Sequence, residues 1–176
     1  MNSIQIISQI INGIGTILNA IGINIKNKSK TLLFFTAGNI CVALALGLLH
    51  AKAGMIVQII FVIESTINYF LDKKNFKYPI WLIGLYVLVP CCILTITFSS
   101  FWDILPILVG IFFPLALISK NFLLRLLNLL SVVVWIPYLL HFGQYVGAIG
   151  CTFFTILNII SIIRFDIINK KIEKTN

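Results

Sequence analysis

The sequence predicts an all-α polytopic membrane protein, with seven transmembrane helices arranged as two parallel three-helix bundles joined by a linker helix. Three observations carry this. Hydrophobic residues make up 60% of the 176 positions and charged residues 10%, with a mean hydropathy of +1.06. Soluble domains are nearer half apolar and about a quarter charged, so this chain lacks the polar residues a water-facing surface needs. The apolar residues come in long blocks, several of which reach the ~20 residues that span a bilayer. The net charge of +8 is concentrated in the short breaks between blocks, where membrane topology places Lys and Arg, and not on a basic, aromatic-laced face of the kind that binds nucleic acid.

Taken in order, the spans are Ile4–Ile25, Thr31–Leu49, Gly54–Leu71, Pro79–Phe98, Ile104–Ile118, Phe122–Leu140 and Tyr145–Arg164. The first is followed, not preceded, by the basic run "KNKSK". A cleaved signal peptide has the opposite order, so this block is read as a retained span. The connections are short, which makes consecutive helices antiparallel neighbours within a single integral membrane domain. Residues 4–71 form the first bundle, 79–98 the linker helix, 104–164 the second bundle and 165–176 a cytoplasmic tail.

Charge counting supports an odd number of spans. With the N-terminus outside and the C-terminus in the cytoplasm, twelve of the thirteen basic residues fall inside, and only Lys52 falls outside. Merging or deleting one span would destroy that alternation downstream. The two triplets share a plan. Gly15 and Gly110 are 95 residues apart, and Asp72 and Asp166 are 94 apart. A linker helix between two triplets makes both run in the same direction, a parallel repeat about an axis along the membrane normal.

The stretch "DILPILVGIFFPLALISKNFLLRLLNLLSVVVWIPYLLHFGQYVGAIGCTFFTILNIISIIRFD" resembles the YgjV family of bacterial inner-membrane proteins. The resemblance rests on the Leu-Pro opening span five, Arg125 in span six, Trp135 ten residues later, the Gly-bearing outer turn and "LNIISIIR" at the end. The first half resembles the family through its length, span order and Gly-rich opening helix. The resemblance implies a location in the bacterial cell (inner) membrane and brings no activity with it. The layout is similar to the 3+1+3 architecture of SWEET sugar facilitators and PnuC-type vitamin transporters, although the Pro-Gln pair of PQ-loop proteins is missing here.

Polar residues inside the spans are the candidates for chemistry. In the first span Gln5, Gln9, Asn12, Thr16 and Asn19 recur at spacings of 4, 3, 4 and 3, which keeps them on one stripe. An amide facing lipid costs several kcal/mol, so the stripe faces protein or water. It is either interhelical glue, at ~0.6 kcal/mol per contact, or the wall of a solute path. Span three carries Glu64, Asn68 and Asp72 at i, i+4 and i+8. Asp72 sits at the edge beside Lys73 and Lys74, whereas Glu64 lies roughly 12 Å deeper at ~1.5 Å per residue. Glu64 is the only acid well inside any span, and a buried carboxylate must find a cation or take up a proton. That makes it either a structural plug or part of a site.

In span seven Asn158 precedes Asp166 by the interval that separates Glu64 from Asp72, which places Asn158 and Glu64 at matching depth. Asn39 in span two and Asn128 in span six, with Trp135 on the same face as Asn128, complete the candidate substrate-binding set of Glu64, Asn68, Asn158, Asn12, Asn39, Asn128 and Trp135. Pro106 and Pro114 in span five, with Gly13, Gly15 and Gly22 in span one, mark helices expected to be interrupted, as at transport sites.

These features favour a small-solute transporter or facilitator with alternating access between the two bundles. The alternative is a non-transporting membrane module, a binding or assembly subunit that needs a partner. An intramembrane enzyme is not expected, because metal-ligand spacing, a Ser/His or Cys/His pairing at membrane depth and paired acids are all missing. Cys41, Cys91, Cys92 and Cys151 are read as small buried hydrophobes, and His50 and His141 as interfacial, so neither metal nor cofactor is expected. The implied partners are the lipid bilayer and a polar solute, neutral or cationic. Nucleic acid is excluded, and a homo-oligomer is compatible with the sequence.

Overall fold

The computed structural model describes residues 3–76, 79–98, 100–119 and 121–164. The expectations for Lys77, Lys120, Asp166 and the tail from 165 lie outside the described residues. Helices dominate because lipid offers backbone groups no partner, so each span must satisfy its own. Among the described residues there are seven α-helices and no strand: α1 (Ser3–Ile23), α2 (Lys28–Leu48), α3 (Lys52–Lys73), α4 (Ile80–Thr97), α5 (Ile104–Ile118), α6 (Asn121–His141) and α7 (Tyr145–Ile162).

Five of them, α1, α2, α3, α6 and α7, are long and apolar enough to cross a membrane. The apolar stretches Trp81–Ile93 in α4 and Phe101–Ala116 around α5 are shorter. At ~1.5 Å per residue α5 spans about 22 Å, less than a hydrocarbon core of about 30 Å. A single 3-10 turn, Phe101–Asp103, precedes it, and Asp103 is buried there with its carboxylate accepting the Ser100 N–H at 2.9 Å.

The expected interruptions are not found: α1 and α5 are both continuous. Pro106 falls in the first turn of α5, where helical N–H groups have no intrahelical acceptor, so its missing donor costs nothing. The α1 glycines serve close packing instead. A Cβ on Gly15 would lie 2.7 Å from the Gly38 carbonyl oxygen of α2, and one on Gly22 would lie 3.0 Å from Phe34 Cβ. Without Cβ atoms the two backbones approach closely, and in lipid such packing supplies much of the association energy.

The helices close into a ring. α1 packs on α2, α2 on α3, α3 on α5, α5 on α6, α6 on α7, and α7 back on α1, while α4 lies chiefly against α5 and α3. In ring order α1, α2 and α3 are followed by α5, α6 and α7, so the α3–α5 and α7–α1 contacts join the two triplets.

The ends of α2 and α6 match. α2 ends at His50 (φ 57°), with the Ala51 N–H donating to the Leu46 carbonyl at 3.0 Å. α6 ends at Gly143 (φ 70°), with the Gln144 N–H donating to the Leu139 carbonyl at 2.8 Å. Both are left-handed C-terminal caps, 93 residues apart. The starts of α3 and α7 are also related, because each is capped from the other half of the molecule. Ala51 offers α3 no side-chain cap, and the Gly54 N–H donates instead to the Tyr138 hydroxyl of α6 at 2.8 Å. At α7 the Val146 N–H donates to Gln9 Oε1 of α1 at 2.8 Å.

The outward faces are apolar, as a lipid boundary requires. On α1, Ile7, Ile10, Ile14, Ile17 and Ile21 are exposed, at spacings of 3, 4, 3 and 4, opposite the buried Ser8, Gln9, Asn12 and Thr16. Of the cysteines, expected to be buried, Cys92 is exposed and Cys41, Cys91 and Cys151 are half-buried, all as free thiols. A thiol tolerates the apolar boundary as well as the interior.

Candidate functional site

The polar stripe of α1 faces inward, and the opposing helices are cut to receive it. A Cβ on Gly147 would lie 2.6 Å from Asn12 Nδ2, and one on Gly150 would lie 2.6 Å from Thr16 Cγ2. Those two α7 glycines therefore accommodate Asn12 and Thr16. On the α2 side, the Asn19 amide donates to Asn39 Oδ1 at 3.4 Å, and it occupies the space a Cβ on Gly38 would need.

Where the ring helices converge they leave a cavity of about 70 Å³. This space exceeds what one water needs, since ~10–15 Å³ by the same measure holds a water. All six ring helices line it: Asn12, Thr16 and Asn19 from α1, Phe35, Asn39 and Val42 from α2, Gln58 and Phe61 from α3, Val109 and Phe113 from α5, Asn128, Ser131, Val132 and Trp135 from α6, and Cys151 and Phe154 from α7. The lining contains amides, hydroxyls and aromatic rings and no charged side chain. Asn12 Nδ2, Asn39 Nδ2, Gln58 Oε1, Asn128 Nδ2 and Ser131 Oγ are buried without a hydrogen-bond partner among the described residues. Asn19 Oδ1, also at the cavity, is a sixth; buried polar atoms are nearly always bonded, so six such atoms around one cavity form a site able to bind a hydrogen-bonding guest.

Contacts within and between the halves flank the cavity toward both ends of the bundle. Toward the 49–51 and 142–144 turns, Ser8 Oγ donates to the Ala45 carbonyl at 2.7 Å and accepts from Gln144 Nε2. Gln9 Nε2 donates to the Gly143 carbonyl. Trp135 stacks on Tyr138 at 5.0 Å. Toward the Lys-rich end, Phe113 packs on Phe61 at 4.1 Å and on Phe35 at 6.0 Å. Beyond these rings, Ser161 Oγ donates to Asn24 Oδ1 at 3.3 Å.

Of the residues that the sequence points to, Asn12, Asn39, Asn128 and Trp135 meet at this cavity. Glu64, Asn68 and Asn158 do not line it. Asn158 is fully buried and donates to the Arg125 carbonyl at 3.1 Å, joining α7 to α6. Asn68 is fully buried and accepts from the Tyr86 hydroxyl of α4 at 3.3 Å. Glu64 is 2% exposed, and neither carboxylate oxygen has a hydrogen-bond partner among the described residues. Asp72 accepts from Ser29 Oγ at 2.6 Å at the Lys-rich end.

Two polar lining residues, Gln58 and Ser131, are not among the polar residues that the sequence singles out. Both carry a signal. Gln58, Phe61, Ser65 and Asn68 step by 3, 4 and 3, and Asn128, Ser131 and Trp135 by 3 and 4, which is the spacing of one helix face.

Comparison with curated proteins and with solved structures gave no match. A family model described as a bacterial inner membrane protein, Imp-YgjV, matches residues 6–168, nearly the whole ring together with α4. The chain belongs to the Imp-YgjV family of bacterial inner membrane proteins.

Proposed function

We propose that the protein is a small-solute transporter or facilitator of the bacterial inner membrane, with the central cavity as its solute site. One observation carries the reading. Amides that each keep an unbonded buried atom, Asn12, Asn39, Gln58 and Asn128 from four helices of both halves, converge on one cavity. Amides used only as glue would bond one another across helices. Asn39 bonds Asn19 through its oxygen and Asn12 bonds Thr16, yet both keep an unbonded amide nitrogen at the common space, beside Gln58 Oε1 and Asn128 Nδ2. The solute is polar and uncharged, because a charged one would lose its hydration with no counter-charge in the lining. Its flat or apolar parts pack on Phe61, Phe113 and Trp135.

Access alternates between the two ends of the bundle. Opening the 49–51 and 142–144 end breaks the Ser8, Gln9 and Gln144 bonds, while opening the Lys-rich end parts the phenylalanines. The Lys-rich end faces the cytoplasm, following the distribution of basic residues.

The test applies to a solute of any identity. Liposomes containing the purified protein are loaded with a bacterial small-molecule extract, and efflux is profiled by mass spectrometry against protein-free liposomes. The expected result is faster loss of at least one uncharged polar solute. Identical profiles would remove the transporter reading and leave a binding or assembly subunit that works only with a partner.

A further inference from the structure

Glu64 lies outside the central cavity, and its surroundings set it apart. It falls one turn after Phe61, which packs on α5, and one turn before Asn68, which bonds to Tyr86 of α4. It therefore sits on the α3 face covered by α4 and α5. Its two carboxylate oxygens and Asn68 Nδ2 are all buried without hydrogen-bond partners among the described residues. Evolution of a purely apolar plug would place Leu here. A carboxylate in hydrocarbon-like surroundings carries a cost of several kcal/mol unless a cation shares the site.

Among the described residues the neighbours supply no such cation. α5 contains no titratable side chain. α4 offers the Tyr86 hydroxyl, and its two thiols, Cys91 and Cys92, lie farther along. α2 offers Cys41, with Lys28 and Lys30 in its first turn at the Lys-rich end. α6 touches α3 through Tyr138 at the far end, and its Arg125 lies near the carbonyl contact with Asn158. On α3 itself, Tyr69 and Asp72 follow Glu64 toward that same end, and Lys52 begins the helix at the opposite one.

Glu64, Asn68 and Asp72 repeat every four residues, a polar line from the Lys-rich end to the buried acid. We propose that Glu64, with Asn68 and Tyr86, forms a second site, for a small monovalent cation, either a proton or Na⁺, loaded from the Lys-rich end along this line. The cation neutralises the carboxylate, and the Tyr86 hydroxyl and Asn68 amide supply the polar contacts that apolar packing withholds. This site stands whether or not the central cavity carries a solute.

Dicyclohexylcarbodiimide, which attacks protonated carboxyl groups in apolar surroundings, tests it on the purified full-length protein in detergent, with Glu64 modification read by peptide mass spectrometry. If the occupant is a proton, modification falls about tenfold or more as pH rises from 6.5 to 10.5. If it is Na⁺, modification falls by a similar factor when NaCl replaces choline chloride at fixed pH. Asn68→Leu and Tyr86→Phe, which keep Glu64, shift the pH or Na⁺ midpoint. Modification independent of both pH and Na⁺ would identify a static neutral plug and overturn the proposal. So would a Glu64 that reacts only after denaturation in SDS.

Discussion

Tyr138 has no solvent exposure, and its hydroxyl takes the Gly54 N–H that α3 has no cap of its own to satisfy. Removing that oxygen leaves a buried donor without a partner, a loss of about 1–3 kcal/mol. Tyr138→Phe should therefore lower the thermal unfolding midpoint in detergent while keeping the helical circular-dichroism signal, and an unchanged midpoint would mean the N–H finds another acceptor. Gly54→Ala should be at least as damaging, because its Cβ would lie 2.6 Å from Tyr138 Cε1, and overpacking costs about 1–3 kcal/mol. Neither effect is legible in the sequence. The partners are 84 residues apart, and hydropathy reads Tyr138 only as an aromatic near a span end. The sequence does identify Glu64 as lying inside a span with no Lys or Arg within a turn or two on its own helix. It does not tell that α5 and α4, not the central cavity, cover it.

At the scale of the helix, α1 shows what periodicity conveys. Its 3-and-4 spacing of amides separates the lipid face from the protein face correctly: Gln9, Asn12 and Thr16 are buried and the intervening isoleucines exposed. Gln5, at the start of the helix, is exposed instead, since the ring does not extend that far. The helix also ties the halves together. Gln9→Leu would leave the Val146 N–H and the Gly143 carbonyl without the partners they have now. The expected loss is about 0.5–1.5 kcal/mol for each of these part-buried bonds, measured as an earlier unfolding midpoint. Span five is found at Ile104–Ile118, as expected from its apolar run. The expected breaks at glycine and proline fail because spacing alone does not distinguish a glycine that bends a helix from one that lets a neighbour approach. Gly15 and Gly22 belong to the second kind.

Across the whole molecule, the ring joins two triplets through the α3–α5 and α7–α1 junctions. The ends of α2 and α6 match, and the caps at Gly54 and Val146 each come from the other triplet. The site was legible in part. Asn12, Asn39 and Asn128 are polar residues on inward faces, and inward faces of a closed ring meet. Equal depth proved insufficient for Glu64 and Asn158, because depth along a helix says nothing about direction around it. Topology has its own test. Cysteines introduced at residues 75 and 101 should label from opposite sides of the membrane, with residue 75 cytoplasmic, and labelling of both from one side would contradict the odd number of crossings.

The central claim is that the unbonded amide atoms around the cavity hold the solute, and Asn128 is the residue on which to measure it. Asn128→Leu replaces a buried, partly unbonded amide by an apolar side chain of similar size, a change that is near neutral or favourable for folding. The measurement is solute efflux from liposomes containing equal amounts of folded wild-type or Asn128→Leu protein. The account predicts that the solute released by wild type leaves the variant's liposomes about tenfold more slowly or worse, the ~1.4 kcal/mol expected from one lost hydrogen bond, with the unfolding midpoint retained. Equal efflux from the two proteins would contradict it.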